Sequence, residues 1–314
     1  MTHSSNVNKT ISYPTPHGEK LKILRDNPKL PKADEEKVTW IISEYTKWIN
    51  DMNSLTTRGE EKVRNLVELL NEYKMKVELN LIWDSTENFL YRQKGQLKLD
   101  NSILEEWFPR LVDPEILEEI DIKNLSVGPS KAFSSAYFKN NLITPGAHPM
   151  IEIRSKDQDF AIGQKVYIKS SFDKSFSTES SNTLQTFVAY LAAEIKTNLD
   201  KTMFQEAVAT SHDLKIAAPG SKYFLICEYL DMTPISSAGT DIEEVLILRG
   251  KRTNSNERKK YSNAQYRKDN REKYAQRLSA TPIREKVILH FINHIHKFLK
   301  VDNDILNSVE RGYF

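Results

Sequence analysis

The sequence predicts an α/β protein in which a mixed β-sheet core is flanked by helices and preceded by an N-terminal helical lobe. Three observations carry that expectation. Apolar residues recur at helical spacing through Val38, Ile41, Ile42, Tyr45, Trp48, Ile49 and Met52, and again through Val63, Leu66, Val67, Leu70, Tyr73, Val77 and Leu81. Short runs rich in branched and aromatic residues, the mark of buried strands, then gather between Ile151 and Leu248. Finally, strand and helix alternate: the run Phe187 to Ala193 leads into a helix over 201–215, followed by strands over Lys222–Leu230 and Glu243–Leu248.

Taken in order, residues 1–34 are polar and carry Pro14, Pro16, Pro28 and Pro31, so they read as an extended arm. Residues 35–128 form the helical lobe, with a break from Asn53 to Gly59 between its two long helices. In Gln96–Leu111, Ser102 as N-cap and Glu105 at the third helical position make a capping box. The stretch 113–148, with Pro114, Pro129 and Pro145, reads as irregular. Ile151–Arg154 and Ala161–Lys169 suit two strands with Lys156-Asp-Gln-Asp-Phe160 between them, and a serine-rich loop spans Ser170 to Asn182. Residues 129–314 are thus expected to form the core domain. It includes a basic segment over 249–277 and a closing amphipathic helix after Pro282.

Composition narrows the function classes. At 314 residues, with 39% hydrophobic and 28% charged residues, the chain reads as a soluble globular protein. It has no stretch long and apolar enough to span a bilayer and no signal-peptide core, so a cytoplasmic location is expected. The single cysteine, Cys227, rules out an intrachain disulfide and a cysteine-built metal site, and its apolar surroundings mark a buried thiol. No glycine-rich phosphate loop is present. His290, His294 and His296 have no acid or cysteine close in sequence to complete a metal site, so they read as helix-face residues. The net charge of +2 is uninformative, but residues 249–277 hold eleven basic residues against three acids, with Tyr261, Tyr266 and Tyr274 interleaved.

The chemistry concentrates where the apolar run Phe187–Ala193 ends. Glu194 and Lys196 stand two apart, so on a strand they share a face while Ile195 points back into the core. Asp200 then reads as the N-cap of the following helix. By themselves, Glu194 and Lys196 are equally consistent with a plain salt bridge. The longer string Glu194-Ile-Lys-Thr-Asn-Leu-Asp-Lys-Thr-Met-Phe-Gln-Glu-Ala207, with Lys156–Phe160 and Lys222–Met232, resembles the restriction endonucleases related to BbvCI, of the PD-(D/E)xK superfamily. The likeness runs from about Tyr13 to beyond Leu248.

That resemblance implies a restriction-endonuclease-like fold and Mg²⁺-dependent hydrolysis of DNA phosphodiesters, in the manner of a type II restriction endonuclease. Two carboxylates with hard oxygen donors suit Mg²⁺. Glu194 is one, and the other is sought upstream among Asp157, Asp159 and Asp173. Asp159 ranks first because it precedes an apolar strand, although the superfamily's proline is absent before each of the three. Lys196 completes the set, with a pKa that neighbouring cations are expected to lower. Glu105 is an auxiliary candidate, with Glu106 as its alternative, and Gln205 and Glu206 on the next helix have a polar surface as the simpler reading. Arg252, Arg258, Lys259, Lys260 and Arg267 are the DNA-contact candidates. Family members often work as two different subunits, so the expected partners are double-stranded DNA and a second nuclease subunit, in a bacterial cytoplasm. The competing readings are a repair or phage-defence nuclease of the same superfamily, and a non-catalytic DNA-binding or scaffold protein.

Overall fold

A computed structural model describes residues 13–118, 120, 122, 124–139, 146 and 148–300. Of the span 1–34 expected to be an extended arm, residues 1–12 lie outside the described residues, and Pro16–Arg25 form a helix, α1. Leu21 and Leu24 bury its inner face, partly against α2 (Lys32–Asn53). The start of α1 is capped from far along the chain: the Glu106 carboxylate accepts the backbone N–H of His17 at 2.9 Å and of Gly18 at 3.1 Å. With only two leucines on that face and its cap 88 residues away, the helix has no local signature.

The two long helices follow the expected periodicity. After α2 comes α3 (Gly59–Met75), which runs on into a π-helical segment, Lys76–Trp83. Two shorter helices, α4 (Asn88–Gln96) and α5 (Asn101–Trp107), close this part of the fold. The capping box expected at Ser102 does not form, because α5 begins two residues earlier, at Asn101. Ser102 Oγ instead donates to the Leu99 carbonyl at 3.0 Å and meets His17 Nδ1 at 3.0 Å.

Five strands make one sheet in the order β1-β2-β3-β4-β5. Strand β1 (Ser126–Phe138) lies in the stretch expected to be irregular. Gly128, Pro129 and four serines weaken its strand signal, and Pro129 sits at a register shift on the sheet edge, where its missing N–H is tolerated. The two expected strands after Met150 are one, β2 (Ile151–Ser171), and it pairs antiparallel with β1 and with β3 (Ser181–Leu199). A bulge at Gly163 shifts the β2–β3 register, and a Cβ there would lie 2.1 Å from the Val188 carbonyl oxygen. Helix α6 (Lys201–Ala217) carries the chain to β4 (Lys222–Leu230). Asp200 caps it as expected, accepting the Met203 N–H at 2.9 Å. Strands β3, β4 and β5 (Glu244–Lys251) run parallel. Three short helices, α7 (Ser255–Lys260), α8 (Ala264–Asp269) and α9 (Arg271–Ala280), precede α10 (Glu285–Leu299).

The sheet separates two apolar cores. On one face Phe160, Ile162, Ala193, Ile195, Phe224 and Ile226 pack with Trp107, Phe108 and the α10 residues Ile288, Phe291 and Ile295. The other face packs Ala161, Ala192, Leu225 and Cys227 against Phe204, Ala207 and Leu214 of α6. Burial pushes the Cys227 thiol up to about 12, which leaves it inert, as expected. A buried ion network ties the early helices to the sheet. Lys74 Nζ bonds Asp100 at 2.7 Å and Glu228 at 2.8 Å, and Arg249 bonds Glu78 at 2.7 Å and Glu228 at 2.9 Å. Among the described residues no helix is long and apolar enough to cross a membrane.

Candidate active site

The site forms where β2 and β3 part. Their last ladder pair is Phe160 and Ala193, and one residue beyond it the Asp159 side chain takes over the hydrogen bonding, accepting the Ile195 N–H through Oδ2 at 2.8 Å. Alternation then sets the directions. Phe160, Ala193 and Ile195 fill the core shared with α10, so Asp159, Glu194 and Lys196 project from the α6 face. Three side chains nominated from sequence are therefore brought together from two strands, Asp159 from β2 and Glu194 and Lys196 from β3.

Hydrogen bonds hold the group in place. Lys196 Nζ meets Glu194 Oε1 at 2.5 Å, and the Tyr223 hydroxyl donates to Glu194 Oε2 at 3.0 Å. Tyr223 reaches this position because β3 and β4 are parallel neighbours, with Ala192 opposite Tyr223. It belongs to the Lys222–Met232 string but was not singled out from sequence. What marks it is strand register, which the sequence alone does not supply.

The electrostatics are uneven. Burial raises the Asp159 carboxyl from 3.8 to about 6, and Glu105 pushes the same way, while the Ile195 N–H, Lys196 and Lys98 oppose the rise. Lys196 is pulled two ways. Burial disfavours its charge, but the Glu194 carboxylate, with help from Asp159 and Glu206, outweighs burial and holds the ammonium above its ordinary range.

Glu105 and Glu106 are held differently. Glu106 is committed to α1 and to the Tyr45 hydroxyl, which it accepts at 2.7 Å. Glu105 accepts from Asn101 Nδ2 at 2.8 Å, lies 3.4 Å from Lys20 Nζ, and acts on Asp159. Gln205 is exposed on α6, and Glu206 beside it is the residue whose charge acts on Lys196. Asp157 is exposed on β2, and Asp173 is occupied in a turn, accepting from the backbone N–H and the hydroxyl of Ser175.

Two adjoining clefts lie beside Lys196. One, of 220 Å³, is lined by Ile195, Lys196, Thr197, Asn198, Lys94 and Lys98 among others. A larger one, of 390 Å³, shares Lys94, Thr197 and Asn198 with it and continues past Arg252, Arg258, Lys259 and Arg277. Arg252 and Arg258 both lean on Asp231, at 2.7 and 3.0 Å, which holds their guanidinium groups at the cleft wall. Lys260 is exposed beside Tyr266. Arg267 is no DNA contact: it is fully buried, and it donates to the carbonyls of Trp83, Ser85, Glu87 and Tyr261 and to Asn88 and Ser85 side chains. It fastens the basic segment to the turn after the π-helical segment.

The family model described as Bpu10I restriction endonuclease matches residues 96–314, a span that takes in every strand of the sheet, Asp159, Glu194, Lys196 and the basic cleft. This chain belongs to that restriction endonuclease family. Among solved structures it is similar to the native BbvCI A2B2 tetramer at low resolution, with a TM-score of 0.61 and 20% sequence identity, over 90% of this chain and 96% of that chain. At that identity the likeness shows the fold, a mixed sheet flanked by helices. No curated protein matches the chain. Membership places the protein with the nucleases of restriction systems, and it gives the acidic cluster between β2 and β3 its context.

Proposed function

We propose that the chain is a catalytic subunit of a type II restriction endonuclease, hydrolysing phosphodiester bonds of double-stranded DNA with Mg²⁺ in a bacterial cytoplasm. One observation carries the reading: Asp159, Glu194 and Lys196 converge on one face of parting strands, and Lys196 lines a cleft that adjoins another walled by Arg252, Arg258 and Lys259. The donor set fits the cation. Asp159 and Glu194 offer hard oxygens with Glu105 acting on Asp159, and burial, the main cause of the raised Asp159 carboxyl, leaves that carboxylate poorly solvated and favours a cation beside it. Bound there, Mg²⁺ supplies charge neutralisation at the phosphate and a nucleophilic water at neutral pH.

The chain's own residues divide the remaining work. Asp159 and Glu194 hold the cation, and the Ile195 N–H and Tyr223 hydroxyl fix the directions of their lone pairs. Lys196 keeps its proton at Nζ and presents it toward the phosphate as charge builds on the non-bridging oxygens. Arg252, Arg258 and Lys259 neutralise neighbouring phosphates along the cleft and seat the duplex.

One such site hydrolyses one strand at a time, so a double-strand cut calls for a second site. The similar solved structure is a tetramer of two kinds of chain, which supports a partner of different sequence. The test is to incubate the purified chain with supercoiled plasmid and Mg²⁺ and sequence the ends produced. Strand-specific nicking is expected, lost in Glu194→Ala and Lys196→Ala and kept in Asp173→Asn, with DNA binding and circular dichroism unchanged. Near wild-type cutting by Glu194→Ala would remove the site from where it is placed here. Efficient linearisation at a palindrome by this chain alone would exclude the two-chain arrangement, because identical subunits read symmetric sequence.

A further inference from the structure

A second cluster of ligating side chains lies on the opposite face of the sheet. Glu244, the first residue of edge strand β5, stands in register with Phe224 of β4, and Phe224 with Ala193 of β3. All three therefore face α10, away from Glu194. On α10, His290 and His294 are four residues apart and so occupy one stripe of the helix. Their Nε2 atoms lie 2.8 and 3.0 Å from the same oxygen, Glu244 Oε2, and 3.3 Å from each other. The buried ring of Phe224 meets the His294 ring edge-on at 5.2 Å and fixes its orientation from below. The absence of an acid close in sequence had left these histidines as helix-face residues, and tertiary folding supplies the acid from 46 positions away.

We propose that Glu244, His290 and His294 form a binding site for a transition-metal ion of the Zn²⁺ class, separate from the nuclease centre. Three donors at about 2.0–2.1 Å from a tetrahedral ion stand about 3.3 Å from one another. The observed triangle, with sides of 2.8, 3.0 and 3.3 Å, already approximates that spacing. Two imidazoles and one carboxylate are donors of the Zn²⁺, Co²⁺ and Ni²⁺ type, whereas Mg²⁺ prefers oxygen alone. His290 is about half exposed, which gives the ion a path in and leaves a fourth position for water. Occupied, the site ties α10 to the edge strand of the sheet. The binding free energy then adds to the stability of that join, since the unfolded chain does not bring the three donors together.

The test uses the full-length chain, stripped with a chelator and titrated with Co²⁺ in excess Mg²⁺. One Co²⁺ per chain is expected, with the intense visible absorption of four-coordinate cobalt, displaced by Zn²⁺. The spectrum should persist in Glu194→Ala, which disables the nuclease centre, and vanish in both His290→Ala and His294→Ala. Zn²⁺ should raise the thermal midpoint of the wild type and not of the histidine variants. Because His290 is exposed, its replacement leaves the fold intact, which circular dichroism verifies. Absence of the visible band in the wild type, or an unchanged band in the two histidine variants, would overturn the proposal. A band lost in Glu194→Ala and kept in His290→Ala would also overturn it, by placing the ion in the nuclease centre.

Discussion

Replacing Asp159 by Asn should stabilise the protein at neutral pH. In the folded chain the Asp159 carboxyl is raised to about 6 from its ordinary 3.8, chiefly by burial. The folded state therefore holds a proton that the unfolded state releases between those two values. Its contribution is favourable below the unfolded pKa and is lost as pH rises through about 6, so folding stability falls with pH across that window. At about 1.36 kcal/mol per tenfold change, the interval amounts to about 3 kcal/mol, and since the carboxyl is partly exposed, about 2 kcal/mol is the working figure. Asparagine cannot ionise, and its Oδ1 can still accept the Ile195 N–H, so the penalty goes while the hydrogen bond stays. The assay is urea unfolding of wild type and Asp159→Asn from pH 3 to 8. The difference between them should grow from near zero to about 2 kcal/mol in favour of the variant, as other titrating groups cancel. Mg²⁺ should narrow the gap at pH 8 by stabilising the wild type alone. Parallel curves across the range, or a variant less stable at pH 8, would refute the placement of Asp159 in a desolvated pocket.

Three further outcomes follow from the geometry. Changing Lys259 and Lys260 together to Ala should weaken binding to all DNA sequences and reduce the salt-dependence slope by about one to two, as read by binding isotherms at several salt concentrations. Arg267→Ala should act on stability instead, costing about 3–5 kcal/mol in chemical denaturation, because it strands four backbone carbonyls and a buried turn. Glu106→Ala should release α1, since the His17 and Gly18 N–H groups and the Tyr45 hydroxyl lose their acceptor; hydrogen exchange over residues 16–25 should speed up while the sheet amides stay protected.

What the sequence determined by itself was whatever is written in local pattern. The 3.6-residue period of Val38–Met52 and Val63–Leu81 gave α2 and α3, and Asp200 before the helix start gave the cap of α6. The spacing of Glu194 and Lys196 placed both on one face, and the longer string around them pointed to the restriction endonucleases. Tertiary structure decided everything that depends on distant partners. Strand β1 is a serine- and glycine-bearing edge whose pairing with β2, not its propensity, makes it a strand, and α1 exists as a docked helix because Glu106 caps it from 88 residues away. Strand register brought Asp159, the aspartate ranked first from sequence, beside Ile195 and Lys196, and brought in Tyr223. Packing turned Arg267 from a candidate phosphate contact into a buried clamp, and set Glu244 against His290 and His294. A single sequence records which face a residue occupies, whereas the identity of the residue opposite is fixed only when strands and helices from different parts of the chain come into register.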